Sequence, residues 1–350
     1  MNTLQSFATQ GTMLGLVYTG PGQIMLQNMP LPLRKAGEAI IKIESVGICG
    51  SDMHAFHGHD ERRPPPLVLG HEAAGIVIEG THLGQRVAIN PLVTCGHCDM
   101  CSRGRSQLCA ERQIISMPPR AGAFAEYMCI PERNLVNIPD DMEFSVAALA
   151  EPLAVSWHAV RIGAEHLHGP LAQAKVCVLG GGAIGVGAAL TFGLFGAREI
   201  WLGEPQEVRR VTAAAAGDIH TYTPGTAEEP ATGSIDIVID AVGAMATRAA
   251  ASRMVKPGGV IVHVGLLPGH EGLDVRRITL QEICLIGSYC YSAADFQNVV
   301  DCLAIGRFGS LNWVSRVPFS DGVAAFTALD KMQTAAAKIV LEFTPQDKLA

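Results

Sequence analysis

Four cysteines, Cys95, Cys98, Cys101 and Cys109, fall in the pattern C-x2-C-x2-C-x7-C. Thiols this dense hold zinc or an iron–sulfur cluster in a reducing compartment and form disulfides in an oxidising one. The fourth cysteine comes late and no proline follows it, which departs from cluster-binding runs. Four sulfurs leave no open position, so the set reads as a closed, structural zinc site. A second set is scattered in sequence but locally marked. Cys49 lies in Gly47-Ile48-Cys49-Gly50-Ser51-Asp52-Met53-His54, His71 and Glu72 in Gly70-His71-Glu72-Ala73-Ala74-Gly75, and Glu151 stands before Pro152. A thiolate, an imidazole and a carboxylate suit Zn²⁺, and three ligands leave a fourth position for water or substrate, as in a catalytic zinc site.

A third set is Gly180-Gly181-Gly182-Ala183-Ile184-Gly185, which fits G-x-G-x-x-G. Its context is right: an apolar run precedes it and a helical pattern follows. Gly180 permits the tight turn, Gly182 lets backbone approach a pyrophosphate, and Gly185 permits close helix–sheet packing. Glu204 stands where an acid would bind the adenosine ribose, which favours NAD over NADP. Arg209 and Arg210 follow it and temper that preference. The plainer alternative is that Glu204 caps a helix beginning at Pro205.

The elements that must carry these residues change character along the chain. The first part is β-rich, with strand patterns over Ala39–Val46, Gly75–Glu79 and Arg86–Ile89. The loops between them, 49–70 and 90–109, hold most of the candidate ligands. From Pro152 the pattern alternates: helix 152–162, strand 175–179, helix 183–195, strand 199–202, helix 205–216, strand 235–240, helix 244–255 and strand 259–265. Such alternation predicts a doubly wound parallel sheet. Residues 284–289 read as a further strand, 292–306 as a helix, and the remainder as a mixed tail returning to the first domain.

With 350 residues the chain is long for one core, and two domains are expected. The net charge of −7 argues against a nucleic-acid partner, and residues 1–15 show no secretory leader, which points to the cytoplasm and reduced thiols. The uncharged run Val176–Ala197 is long enough to span a bilayer, but its glycines break it where a nucleotide turn belongs. No membrane partner is expected.

Taken in order, the Cys49–His54 segment, the Gly70–Gly75 segment, the cysteine quartet, Glu151-Pro152 and the glycine fingerprint resemble the zinc-containing medium-chain alcohol and polyol dehydrogenases. The sorbitol, butanediol and threonine dehydrogenase branch is the nearest in pattern. The resemblance spans nearly the whole chain. It implies a β-rich, GroES-like catalytic domain from residues 1–154, rejoined by 291–350, and a Rossmann NAD-binding domain from 155–290. It implies a catalytic zinc on Cys49 and His71 with Glu72 or Glu151, and a structural zinc on the quartet. Asp52 would hold the second nitrogen of His71. The reaction implied is hydride transfer from an alcohol, diol or polyol, made an alkoxide on zinc, to NAD, with Ser51 and His54 relaying the proton. The cofactor contacts would be Gly180, Gly182, Ala183, Ile184, Gly185, Glu204, Val264 and Gly265. A homodimer or homotetramer is also implied.

Plainer readings exist for single residues. Ser51 could cap a helix, Glu151 could serve a helix dipole, and His54 could be a surface residue. Rival functions are an iron–sulfur electron carrier and a zinc-ribbon binding protein. The pattern also departs from the polyol branch at Cys290, where an arginine would bind substrate hydroxyls. A thiol cannot replace those donors. A smaller secondary alcohol, a vicinal diol or a less polar substrate therefore stands level with a long polyol.

Overall fold

The computed structural model describes residues 11–344. Residues 1–10, most of the segment read for a leader, and residues 345–350 of the tail lie outside them. The centre of the β-rich part is the strand Glu38–Ile48, whose side chains are buried almost without a break. A run this apolar is what a strand covered on both faces requires. It pairs antiparallel with Glu72–Glu79 on one side and Lys338–Glu342 on the other, with Tyr127–Pro131 along its first half. Ile41, Ile43, Val46, Val77, Val87, Ile339 and Leu341 form its core. The registers decide where chemistry can occur. Gly47 faces Glu72, and Ile48 faces Ile339, next to Lys338. Cys49, Glu72 and Lys338 are therefore delivered to the same end of three adjacent strands.

The second sheet has six strands, all paired in parallel: His220–Tyr222, Glu199–Gly203, Lys175–Leu179, Ile235–Asp240, Val255–His263 and Cys284–Gly287. Helices Ala183–Leu194, Glu207–Ala216 and Met245–Met254 connect them. The expected doubly wound fold is present. The strand order reverses beside Lys175–Leu179, the position where such sheets bind ligands at their carboxyl ends. The uncharged run 176–197 folds as that strand, the glycine turn and a helix. Among the described residues no helix is long and apolar enough to cross a membrane.

Some boundaries differ from the sequence reading. The helix expected from Pro205 starts at Glu207, because the Gln206 N–H turns back to the Glu204 carboxylate at 2.9 Å. The strand expected through Gly265 ends at His263, since the Val264 and Gly265 N–H groups both donate to the Asp240 carbonyl. The strand expected over 284–289 stops at Gly287. The hairpin of Thr12–Gly20 and Gln23–Pro30, and the strand His220–Tyr222, carried too little periodicity to be read.

A buried polar knot joins the long helix Ala150–Glu165 to the helix Ala293–Ala304. His158 Nδ1 lies 2.7 Å from Asp295, Arg161 donates to it at 2.8 Å, and Ser292 Oγ donates to it at 2.7 Å. Gln107, from the cysteine-rich loop, approaches the other His158 nitrogen at 3.5 Å. Burial alone would raise the Asp295 carboxyl, but His158, Arg161 and Ser292 hold it below the ordinary range. A depressed pKa contributes stability that is complete above the unfolded value, about 3.9, and lost as pH falls through the folded one. Asp295→Asn should therefore cost about 2 kcal/mol near neutral pH, and the gap in denaturant midpoint should close as pH falls below about 4. A gap unchanged down to about pH 2 would assign the effect to another group.

Candidate active site and metal centres

Cys49 precedes the short helix Gly50–Phe56, and one carboxylate organises its surroundings. Asp52 is fully buried and accepts from the Cys49 N–H at 2.9 Å and the Gly70 N–H at 3.2 Å. Its Oδ1 lies 3.5 Å from His71 Nδ1, and Ser116 Oγ lies 3.4 Å from the same nitrogen. The other nitrogen, Nε2, lies 3.5 Å from Ser51 Oγ. Burial opposes a charge on His71, but Asp52 and Cys49 outweigh it and raise its pKa well above the usual value. Cys49, His71 and Glu72 bring donor atoms within 4.8 Å of one another. This thiolate, imidazole and carboxylate fit a Zn²⁺ ion.

Glu72 has a partner that local sequence did not disclose. Lys338 Nζ donates to its two oxygens at 2.6 and 2.7 Å and to the Ile48 carbonyl at 2.9 Å. Both side chains are buried. Burial would lower the Lys338 pKa; Glu72 and Cys49 raise it instead. Room for the Glu72 carboxylate comes from Gly47, where an added Cβ would sit 2.1 Å from Glu72 Oε2. A glycine inside an apolar strand was the available signal for that close approach. Glu151 is outside the 4.8 Å set. It lies in the first turn of Ala150–Glu165 and accepts from Tyr291 Oη at 3.0 Å. Burial, only partly offset by His71 and reinforced by Glu72, pushes its pKa up to about 7.

His54 sits on the same helix as Ser51, half-buried. Burial, His57 and His59 lower its pKa. No Ser51–His54 hydrogen bond is formed among the described residues. Ser51 Oγ instead lies 3.4 Å from Arg63 Nη2, a buried guanidinium that also pairs with Asp60 at 2.5 Å. Ser51 is not the helix cap; the residue preceding the helix is Cys49.

The quartet is assembled by turns rather than long elements. Cys98 opens the single-turn helix Asp99–Ser102, Cys101 lies within it, and Cys109 closes the turn Ser106–Leu108. All four sulfurs lie within 4.8 Å of one another. The Cys95–Cys101 and Cys95–Cys109 separations are 3.9 and 3.6 Å. A tetrahedral zinc with bonds of about 2.3 Å has sulfur–sulfur edges of about 3.8 Å. Backbone N–H groups of His97 and Cys98 draw the Cys95 thiol down to about 6, toward the thiolate that a metal needs.

The glycine turn opens into a cavity of about 710 Å³. Gly180, Gly182, Ala183, Ile184, Gly185 and Glu204 line it, and so do Cys49, Met53, Glu72 and Lys338 from the other sheet. Gly180 has φ +105°, which its turn requires. A Cβ on Gly182 would meet nothing within 4 Å, so backbone is bare toward the cavity, and the helix Ala183–Leu194 begins there. That arrangement fits a dinucleotide pyrophosphate. Glu204 is buried, its oxygens accepting from Gly181 and Gln206 at 2.8 and 2.9 Å. Val264 and Gly265 are not among the lining residues; Gly265 packs on the backbone of Val242, which is.

Two family models match. Residues 35–140 match the alcohol dehydrogenase GroES-like domain, and residues 183–304 match the zinc-binding dehydrogenase domain. An L-galactonate-5-dehydrogenase from Escherichia coli is 32% identical over 324 residues, covering 88% of this chain and 93% of that protein. Among solved structures, a zinc-binding dehydrogenase from Sinorhizobium meliloti bound to NADP has a TM-score of 0.83 at 29% identity, covering 95% of this chain and 100% of that one. L-idonate 5-dehydrogenase from Escherichia coli has a TM-score of 0.82 at 28% identity, covering 95% and 99%. These matches favour neither an iron–sulfur carrier nor a zinc ribbon. The chain belongs to the zinc-binding medium-chain alcohol and polyol dehydrogenases, oxidoreductases that act on CH–OH groups with zinc and a nicotinamide dinucleotide.

Proposed function

We propose that the chain oxidises a secondary alcohol, diol or polyol, with NAD as the preferred acceptor. The observation that carries this reading is the shared cavity: Cys49 and Glu72 line the same space as the glycine turn. Cys49 and His71 would hold the catalytic zinc, with Glu72 or Glu151 as the carboxylate donor, and the quartet the structural zinc. Bound zinc makes an alcohol hydroxyl acidic, and NAD takes the hydride.

The protein's own residues do the remaining work. Asp52 fixes the ring of His71 by its Nδ1 side, which leaves Nε2 free on the side of Ser51. Ser51 Oγ, beside that nitrogen, would accept the proton the alcohol loses while giving up its own, so that it relays charge without holding it. Arg63, itself paired with Asp60, holds Ser51 in place. His54, whose pKa burial and its histidine neighbours lower, would be the outward acceptor, reached from Ser51 by an intervening group since the two are not hydrogen-bonded to each other. Tyr291 keeps the Glu151 carboxyl oriented. Ile48, Met53 and Leu329 give the shared cavity apolar walls, which would limit water around a bound dinucleotide. The catalytic domain would be residues 1–154 with 291–350, and the NAD-binding domain 155–290. The protein would work as a homodimer or homotetramer in the cytoplasm, where its thiols stay reduced.

A panel of diols, polyols, sugar acids and simple secondary alcohols, followed by NADH absorbance, tests the activity. No reduction of either dinucleotide by any of them would refute it. The cofactor preference is tested at Glu204. A carboxylate beside the ribose repels a 2′-phosphate, so Glu204→Ala should shift the NAD:NADP ratio of kcat/KM toward NADP by about tenfold. An unchanged ratio would remove its ribose role.

A further inference from the structure

A closed set of four sulfurs surrounds its zinc on every side, yet the ion has to enter and leave. Cys109 is fully buried and the other three quartet residues are half-buried. One of those three has donors beside it that the quartet does not use. The Cys95 sulfur, a ring nitrogen of His97 and a carboxylate oxygen of Glu111 lie within 4.8 Å of one another. His97 and Glu111 are exposed, so this second set faces solvent. Gly96, at φ +83°, makes the reversal that brings His97 back over Cys95. His97 Nδ1 lies 3.0 Å from the Cys95 carbonyl, a group that only accepts. Nδ1 then carries the ring hydrogen, and Nε2 keeps the lone pair that a metal needs. Charge also favours a cation here. A Zn²⁺ ion with four thiolates carries two net negative charges, and Glu111 adds a third beside Cys95, where like signs repel. The nearby Asp99 is paired with Arg103 at 2.7 Å. Glu111 forms no ion pair among the described residues, while its neighbour Arg112 donates to the Cys109 carbonyl at 3.0 Å and lies over the Tyr289 ring.

Resting on the reading of the quartet as a zinc site, we propose that Cys95, His97 and Glu111 form a second, solvent-facing zinc site that shares the Cys95 sulfur and is the port through which the quartet is loaded and emptied. A thiolate, an imidazole and a carboxylate suit Zn²⁺, and three ligands leave a position for water, as an exchanging site requires. An incoming aqua ion gives up waters for the Cys95 sulfur, His97 Nε2 and a Glu111 oxygen. It then pivots on Cys95. The Zn–N and Zn–O bonds break as bonds to the sulfurs of Cys98, Cys101 and Cys109 form, and protons held by those thiols leave to water. Release runs the same path backwards, with the open position of the port exposed to a competing ligand. No electron is transferred at any step. A thiolate also keeps lone pairs after its first zinc bond, so Cys95 can bridge two ions when the quartet is full.

The test follows zinc release from the full-length holoenzyme to a chromophoric chelator. Two phases are expected, and the phase that Cys49→Ala leaves intact belongs to the quartet. In His97→Ala/Glu111→Gln that phase should slow by at least about tenfold. Reloading of the stripped protein with Zn²⁺ should slow by the same factor, because a port changes rates and leaves the quartet's affinity alone. Glu111→Asp, which keeps a carboxylate, should slow release less than Glu111→Gln. With excess Zn²⁺, metal analysis should count one ion per chain more in the wild type than in the double variant. Release that is unchanged or faster in the double variant overturns the port, since a merely stabilising role for His97 and Glu111 predicts faster loss. Equal ion counts in the two proteins mean an adventitious ion only and overturn the shared site. A single phase that Cys49→Ala abolishes shows a quartet without zinc, which refutes that reading and the port together, whether or not alcohols reduce NAD.

Discussion

Cys49→Ala should lower alcohol-dependent NAD reduction by at least about a thousandfold, because metal stabilisation of a developing alkoxide is worth several kcal/mol. Metal analysis should show loss of the catalytic zinc while the quartet keeps its own. The fold should survive, since Cys49 stands at the end of a strand whose core consists of other residues. Its backbone N–H bond to Asp52 does not depend on the side chain. Turnover within about tenfold of the wild type would exclude the proposed centre. The contrasting substitution is in the quartet. There, loss of a sulfur should lower thermal stability first, because no quartet atom lines the cofactor cavity.

Lys338→Met should destabilise the protein by about 3–5 kcal/mol, the cost of leaving a buried carboxylate without its cation. The ion pair is almost sealed from water, and Lys338 satisfies both oxygens of Glu72. Adding Glu72→Gln to Lys338→Met should return most of the loss, since removing both charges of a buried pair is close to neutral. Denaturant melts of the single and double variants measure this. A loss below about 1 kcal/mol in Lys338→Met would mean that another cation neutralises Glu72. If the double variant were no more stable than the single, the defect would lie in packing around the lysine stem instead.

What could be read from sequence was local. The strand–glycine–helix succession around Gly180 and the tight quartet spacing each lie within a few residues, so pattern and element arise together. Cys49, Ser51 and Asp52 share one helical turn, and their relation to His71 followed from family likeness. The missing parts are joined across long separations. Lys338 meets Glu72 across 266 residues, and Tyr291 meets Glu151 across 140. No periodicity marks such partners, because their contact is created by strand order and helix docking. Arg63 was hidden for another reason. In a loop of charged and imidazole residues it resembles a solvated side chain, yet it is buried against Ser51 and Ser116. The Gly47 void was visible as a strand glycine, but only the register against Glu72 gives it meaning.

The strand Lys338–Glu342 also sets a timetable. A ribosome adding about 5–20 residues per second needs roughly 15–50 s between making Glu72 and making Lys338. For that interval the nascent β-rich lobe carries an anion awaiting its counter-charge, and the edge of Glu38–Ile48 that will receive the last strand is bare. The doubly wound sheet is synthesised during the same wait and can close on its own strands. The lobe translated first is therefore the one completed last. Until then, its open edge and its unpaired Glu72 are what chaperones would meet on the growing chain.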